Sequence, residues 1–275
     1  MLDRLTRVTP LGVRFYDAVT QSVVAYGLEV SAYSLSNPER RIESVVTPSG
    51  VFVFRGLSGL ATEEFGAGDA AYWNAVTSRP MIVEVADSES RFLPFLFDTT
   101  APFKGLTQLL CWSPPSPPDS TVGVPLFSAP ARPVPGGNAV IRAHLWDAQA
   151  DIPASWALVE AHSNGRVLGR GIADERGQLV LIFTVPELED KLPTSPLSMG
   201  ESLKEQTWTI ELRVFYAYWG TPPPVIPDLC KVLNQPPTRV WARRSPNVPL
   251  GMVELEYGKE LIVKSQARSE LLIAP

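Results

Sequence analysis

At 275 residues, with 45% hydrophobic and 19% charged side chains, the chain is long enough for one large or two ordinary domains and too apolar to be disordered. Its 27 prolines, seven tryptophans and frequent turns favour an all-β chain over a helical one. A formal charge of −5 leaves no global field for nucleic acid or an anionic membrane; pairs such as Arg40 with Arg41 read as solvated faces.

The predicted elements begin with short alternating strands. Gly12–Tyr16 and Leu28–Tyr33 are the first two, and in the second Leu28, Val30 and Ala32 share one face. Arg41–Val46 and Val51–Phe54 follow around a turn at Pro48-Ser-Gly50, and the second of these is apolar on both faces. Arg79–Ala86 and Arg91–Phe97 close the first module, predicted over 1–112 with the shape of a transthyretin-like or carboxypeptidase-regulatory-like β-sandwich. Between them Gly56–Asn74 reads as a long loop that ends in a helical turn at Asp69–Trp73. Gly66-Ala-Gly68 lacks the strand before and the amphipathic helix after that a dinucleotide site needs, so the loop is read as a contact or surface loop.

Ser113-Pro-Pro-Ser-Pro-Pro118 is the natural boundary, because proline fixes φ and stiffens a spacer. With Pro125–Pro135 it makes a linker and extended apolar arm over 113–135, expected to lie along the second domain as an edge or along a neighbouring subunit. The second module, 136–275, opens with four strands in succession: Asn138–Trp146, Ser155–His162, Arg166–Ala173 and Gln178–Val185. Asn164-Gly165 between two alternating runs predicts a type I′ hairpin, which needs φ > 0 at both central positions. An acidic loop, Pro186–Gln206, precedes the long strand Thr207–Tyr216, in which Trp208, Ile210, Leu212 and Val214 alternate with polar residues. Asp228 is placed to cap a short helix, and four more short strands follow, two of them joined by a hairpin turn at Tyr257–Glu260. That makes roughly nine strands, enough for an Ig-like sandwich. No exact repeat and no heptad pattern is visible.

Little in the chain offers catalytic chemistry. The histidines are His144 and His162, both in strands. If the first two strands of the second module pair antiparallel, His144 lies opposite Ala157 and not His162, which argues against a zinc pair. No phosphate loop or nucleophile elbow is present. No carboxylate pair stands out, and the acidic loop reads as solvated. The tryptophans sit mostly in alternating strands and read as core or interface rather than a sugar-stacking platform. Neither catalytic residues nor a cofactor nor a metal site is therefore expected. Cys111 and Cys230 share no motif and are expected to be free, buried thiols in a reducing compartment. No apolar leader and no run of about 18 apolar residues occurs, so the expectation is a cytoplasmic protein with no membrane insertion.

Several phrases together resemble a known family: Val13-Arg-Phe-Tyr-Asp-Ala-Val-Thr20, Gly50-Val-Phe-Val-Phe-Arg-Gly-Leu57, Arg91-Phe-Leu-Pro-Phe95 and Val124-Pro-Leu-Phe-Ser-Ala-Pro130. Arg170-Gly-Ile-Ala-Asp-Glu-Arg-Gly177, Gln206-Thr-Trp-Thr-Ile-Glu-Leu-Arg213 and Arg268-Ser-Glu-Leu-Leu272 extend the match over nearly the whole chain. It resembles the β-rich accessory proteins of bacterial extracellular contractile injection systems, the phage-tail-like particles. The resemblance implies a non-enzymatic structural subunit, first of all a cap adaptor that joins the terminal cap to sheath or tube. Alternatives are a baseplate or fibre-associated subunit, or a carbohydrate-binding recognition module. It further implies sheath, tube and cap proteins as partners, a six-fold ring, and assembly in the cytoplasm into a particle that is released or attached to a membrane. On this reading the candidate assembly contacts are Leu126 and Phe127 in the arm, with Phe65 and Trp73 in the glycine loop.

Overall fold

The structure is a computed structural model that describes residues 7–109, 111, 123–185 and 206–274. Among these residues the chain is all-β, with twenty strands and two short helices. It divides into two compact units: Met1–Leu126 with Ile226–Asn234, and Phe127–Val225 with Gln235–Pro275. The second unit is thus not one continuous stretch. Between two of its strands the chain leaves to contribute residues 226–234 to the first unit. The proline-rich stretch 113–118 and most of the acidic loop, 186–205, lie outside the described residues.

The first unit holds β1 (Leu11–Asp17), β2 (Val23–Val24), β3 (Leu28–Ser34), β4 (Asn37–Glu43), β5 (Val45–Val46), β6 (Val51–Phe54), β7 (Arg79–Asp87), β8 (Phe95–Ala101) and β9 (Val124–Leu126). Its helices are α1 (Ala70–Ala75) and α2 (Leu229–Leu233), capped by Asp69 and Asp228. One sheet runs β4-β3-β7-β8, and the other runs β2-β1-β6-β5 with β9 parallel to β1. Residues two apart point to the same face, so Met81, Val83 and Val85 of β7 all enter the core. Phe15 meets Phe52 edge to face at 5.2 Å. Arg41–Val46, expected as one strand, is two. At Ser44 the chain changes partner, from β3 to β6.

The second unit holds β10 (Asn138–Asp147), β11 (Ile152–Pro153), β12 (Leu158–Ser163), β13 (Arg166–Ile172), β14 (Gln178–Thr184), β15 (Thr207–Phe215), β16 (Pro237–Arg243), β17 (Val248–Pro249), β18 (Val253–Glu256), β19 (Glu260–Val263) and β20 (Leu271–Ala274). Ile141, Leu145, Val159, Leu181, Ile210, Val214 and Ile273 lie in one core. The β12–β13 hairpin forms at Asn164 and Gly165, with φ of 49° and 76°. Its neighbours differ from the simple meander. β10 does not pair with β12. It pairs antiparallel with β14, which sets His144 opposite Gln178 and not Ala157. The physical reason is that both edges of β10 are taken, by β14 and β11 on one side and by β19 and β20 on the other. The turn at Tyr257–Glu260 also forms no hairpin, since β18 pairs with β15 while β19 pairs with β10.

The two units repeat one pairing scheme. The first half of β1 is antiparallel to β6 and bridges Thr107 in parallel, and its end is antiparallel to β2 and parallel to β9. The first half of β10 is antiparallel to β14 and parallel to β19, and its end is antiparallel to β11 and parallel to β20. β3 sits between β4 and β7 as β12 sits between β13 and β15. Two turns share their backbone course and first side-chain bond. Asp17 accepts from the Val19 N–H and Asp147 from the Gln149 N–H, at 2.9 and 2.8 Å, and each turn ends on a residue at φ 56°, Gln21 or Asp151. Thr47–Val51 and Asp174–Gln178 also share their backbone bonds and the side-chain cap, with Gly50 and Gly177 at φ 74° and 75°.

The cysteines are corrected outright. Cys111 and Cys230 form a disulfide, 119 residues apart in sequence. Sequence separation hides their proximity, which arises because 226–234 belongs to the first unit.

Candidate functional site

The loop between β6 and β7 is the most built surface feature of the first unit. Leu57 and Leu60 are buried and anchor it. Glu64 is 2% exposed and ties it together. Its carboxylate accepts from Arg7 Nε at 3.0 Å and from the Gly56 N–H, and its carbonyl accepts from the Val8 N–H at 2.8 Å. Such local closure makes a compact loop rather than a loose one. At the far end Asp69 Oδ1 accepts from the Tyr72 N–H at 2.8 Å and starts α1. The Tyr72 hydroxyl donates to the Glu63 carbonyl, and Trp73 Nε1 donates to the Gly68 carbonyl at 3.1 Å. Tyr72 and Trp73 meet edge to face at 5.0 Å. An added Cβ at Gly66 would run into the Tyr72 ring, which is the role of a glycine there. Burial pushes the Tyr72 phenol up, with the charges of Glu63 and Glu64 adding to it.

This closure leaves aromatic surface outside. Phe65 is 52% exposed with the Arg7 guanidinium 5.8 Å from its ring centre, and Tyr72 and Trp73 are half-buried. Two of the four candidate contacts, Phe65 and Trp73, therefore share one loop. The other two do not lie open: Leu126 is 0% and Phe127 1% exposed. Residues 124–129 of the arm are buried within their own chain, because an extended strand such as β9 gains both backbone pairing and burial there. Glu64 and Tyr72 escaped the sequence reading. A glutamate in a glycine-rich loop carries no signal of burial.

The histidines have structural partners. His144 Nε2 lies 3.0 Å from the Arg176 carbonyl, and its ring stands edge to face with Trp146. His162 is buried, with Nε2 2.8 Å from Glu160, whose other oxygen accepts from Arg170 Nε at 2.6 Å. Burial alone would raise the Glu160 carboxyl, but hydrogen bonds from His162 and Arg170 outweigh it and hold it below the usual range. Tyr216 is buried and hydrogen-bonds Asp147; desolvation first, then the Asp147 charge, raises its phenol well above the ordinary value. Among the described residues no group of three or more His, Cys, Asp or Glu side chains is placed to hold a metal. Trp156 and Trp241 are buried, and Trp208, Trp219 and Trp146 pack against core clusters. Trp112 lies outside the described residues. No helix among the described residues is long and apolar enough to cross a membrane.

No protein-family model and no curated protein matches the chain. Among solved structures it is similar to a crystal structure of the shaft pilin SpaA from Lactobacillus rhamnosus GG, at 8% identity over 99% of this chain and 98% of that one. A point mutant of the same pilin gives the same values. The TM-score is 0.23 in both cases, too low to carry an argument. What stands is the fold class: an all-β protein built of several sheets in two units.

Proposed function

We propose that this chain is a non-enzymatic structural subunit of a contractile injection system particle, acting as a cap adaptor between the terminal cap and sheath or tube. The sequence resemblance supplies the context. The observation that carries the reading on the molecule is the closed β6–β7 loop, which holds Phe65, Tyr72 and Trp73 at the surface on a rigid frame. Aromatic anchors that are ordered before binding lose little entropy on contact, and they dominate the energy of protein interfaces. A ring of such subunits uses heterologous contacts, in which one face of each copy meets a different face of the next. Sheath, tube and cap proteins are the partners this reading names, and six copies per ring is its symmetry. The subunit assembles in the cytoplasm, and its disulfide suits a particle that later meets oxidising surroundings.

The test is to purify particles from cells carrying a tagged chain and image the tag by electron microscopy. Density at the terminal cap, lost with Phe65→Ala plus Trp73→Ala, supports the reading. Tag at the baseplate end would move the subunit to that role. Particles complete without the chain would end the proposal.

A further inference from the structure

The disulfide sits at an unusual place in the chain. Residues 226–234 lie in sequence between β15 and β16 of the second unit, yet they fold with the first. Three kinds of contact hold them there. The Leu96 N–H donates to the Pro227 carbonyl at 2.9 Å, and Asp228 forms an isolated bridge with Leu96 at the edge of β8. Leu229 and Val232 of α2 are buried, 1% and 0% exposed. Cys230, within α2, is bonded to Cys111. Both cysteines are partly exposed. α2 itself is five residues long and capped by Asp228, too short to be stable alone.

We propose that Cys111–Cys230 is a redox clasp that fastens segment 226–234 over the edge of β8. In the reducing cytoplasm the two thiols are free and the segment opens often. In oxidising surroundings the clasp closes. Closure is thiol–disulfide exchange with a low-molecular-weight disulfide of the glutathione class. One protein thiolate attacks that disulfide and expels a small thiolate. The second protein thiolate then attacks the mixed disulfide and expels the other. Two protein thiols are oxidised, one small disulfide is reduced to two small thiols, and the two protons pass to the leaving thiolates. A clasp that joins residues 119 apart restricts the open chain far more than a local one.

Lys231 reports the state of the clasp. It lies in α2 with its side chain 73% exposed, so trypsin cuts there once the helix opens. The full-length protein is equilibrated in glutathione buffers from reducing to oxidising, then split. One portion is alkylated and its free thiols are counted by intact mass. The other meets trypsin, and cleavage after Lys231 is timed. The expected result is two free thiols in reducing buffer, none in oxidising buffer, and cleavage on the order of tenfold faster in the reduced protein, as for opening that the covalent tie suppresses. Cys230→Ser and Cys111→Ser should each cleave at the reduced rate in every buffer. Free thiols that persist in oxidising buffer would overturn the clasp. So would a bond that survives the most reducing buffer, or equal cleavage rates in the two wild-type states.

Discussion

The two units differ less in their frame than in what is attached to it. Each starts with a strand that switches partners halfway, β1 or β10, and each turns at a buried aspartate, Asp17 or Asp147. The parallel neighbour of the first half is a four-pair strand in the second unit, β19, but one bridge at Thr107 in the first. The edge of β8 is met by a segment from elsewhere in the chain. The connection after β6 is the aromatic loop. A frame used twice with different attachments teaches that one strand-pairing scheme tolerates different connections, the segments on which function is most often carried in folded proteins.

The largest test of that comparison uses the matched glycines. At Gly177 an added Cβ would collide with the Leu145 backbone carbonyl, which cannot move, whereas at Gly50 it would meet Val23 Cγ1 at 2.9 Å on a side chain 45% exposed. Gly177→Ala should cost about 4 kcal/mol from positive φ plus overpacking, and Gly50→Ala about 2 kcal/mol. Urea unfolding measures both, and equal costs would break the distinction.

Next come the matched aspartates. Asp147 accepts two turn N–H groups and bonds buried Tyr216, so Asp147→Ala should lose about 3 kcal/mol. Asp17→Ala, which releases the Val19 N–H and the Thr20 hydroxyl, should lose about 2 kcal/mol. Calorimetry of each variant checks the order.

Smaller effects follow two partly buried ion pairs. Burial raises the Asp87 carboxyl, yet hydrogen bonds from the Arg91 side chain and backbone hold it below its ordinary value, as partners do for Glu160. A depressed carboxyl contributes stability above its unfolded pKa and loses it as pH falls through the folded one. Asp87→Asn and Glu160→Gln should each be less stable at neutral pH, by about 1 kcal/mol, with the gap to wild type closing in acid. A gap that widens in acid would reverse the sign and refute the assignment. Smallest of all, Phe65→Ala should change stability by less than about 0.5 kcal/mol, since its ring is half in water. Thermal melts of the variant and the parent give the comparison, and a larger loss would make Phe65 a structural residue instead of a contact.

Much of the fold was legible. Alternation placed β7 and β15, because side chains of a half-buried strand alternate between core and solvent, while β3 and β12, also placed as strands, are buried on both faces over most of their length. Asn164-Gly165 marked its hairpin and Asp228 marked its helix, because caps and primed turns are local chemistry. The candidate site was half legible. Phe65 and Trp73 were found in their loop, but Glu64, which closes it, looks like any surface carboxylate.

What the amino-acid order determined by itself is the local part: an all-β chain, its turns, its caps and its alternating faces. Only the tertiary structure decided which strands became neighbours. It paired β10 with β14, buried Leu126 and Phe127, gave 226–234 to the first unit, and so brought Cys230 to Cys111. The reason is that pairing and burial are settled by contacts between residues distant in sequence. No local pattern records which edge of a strand will be left open.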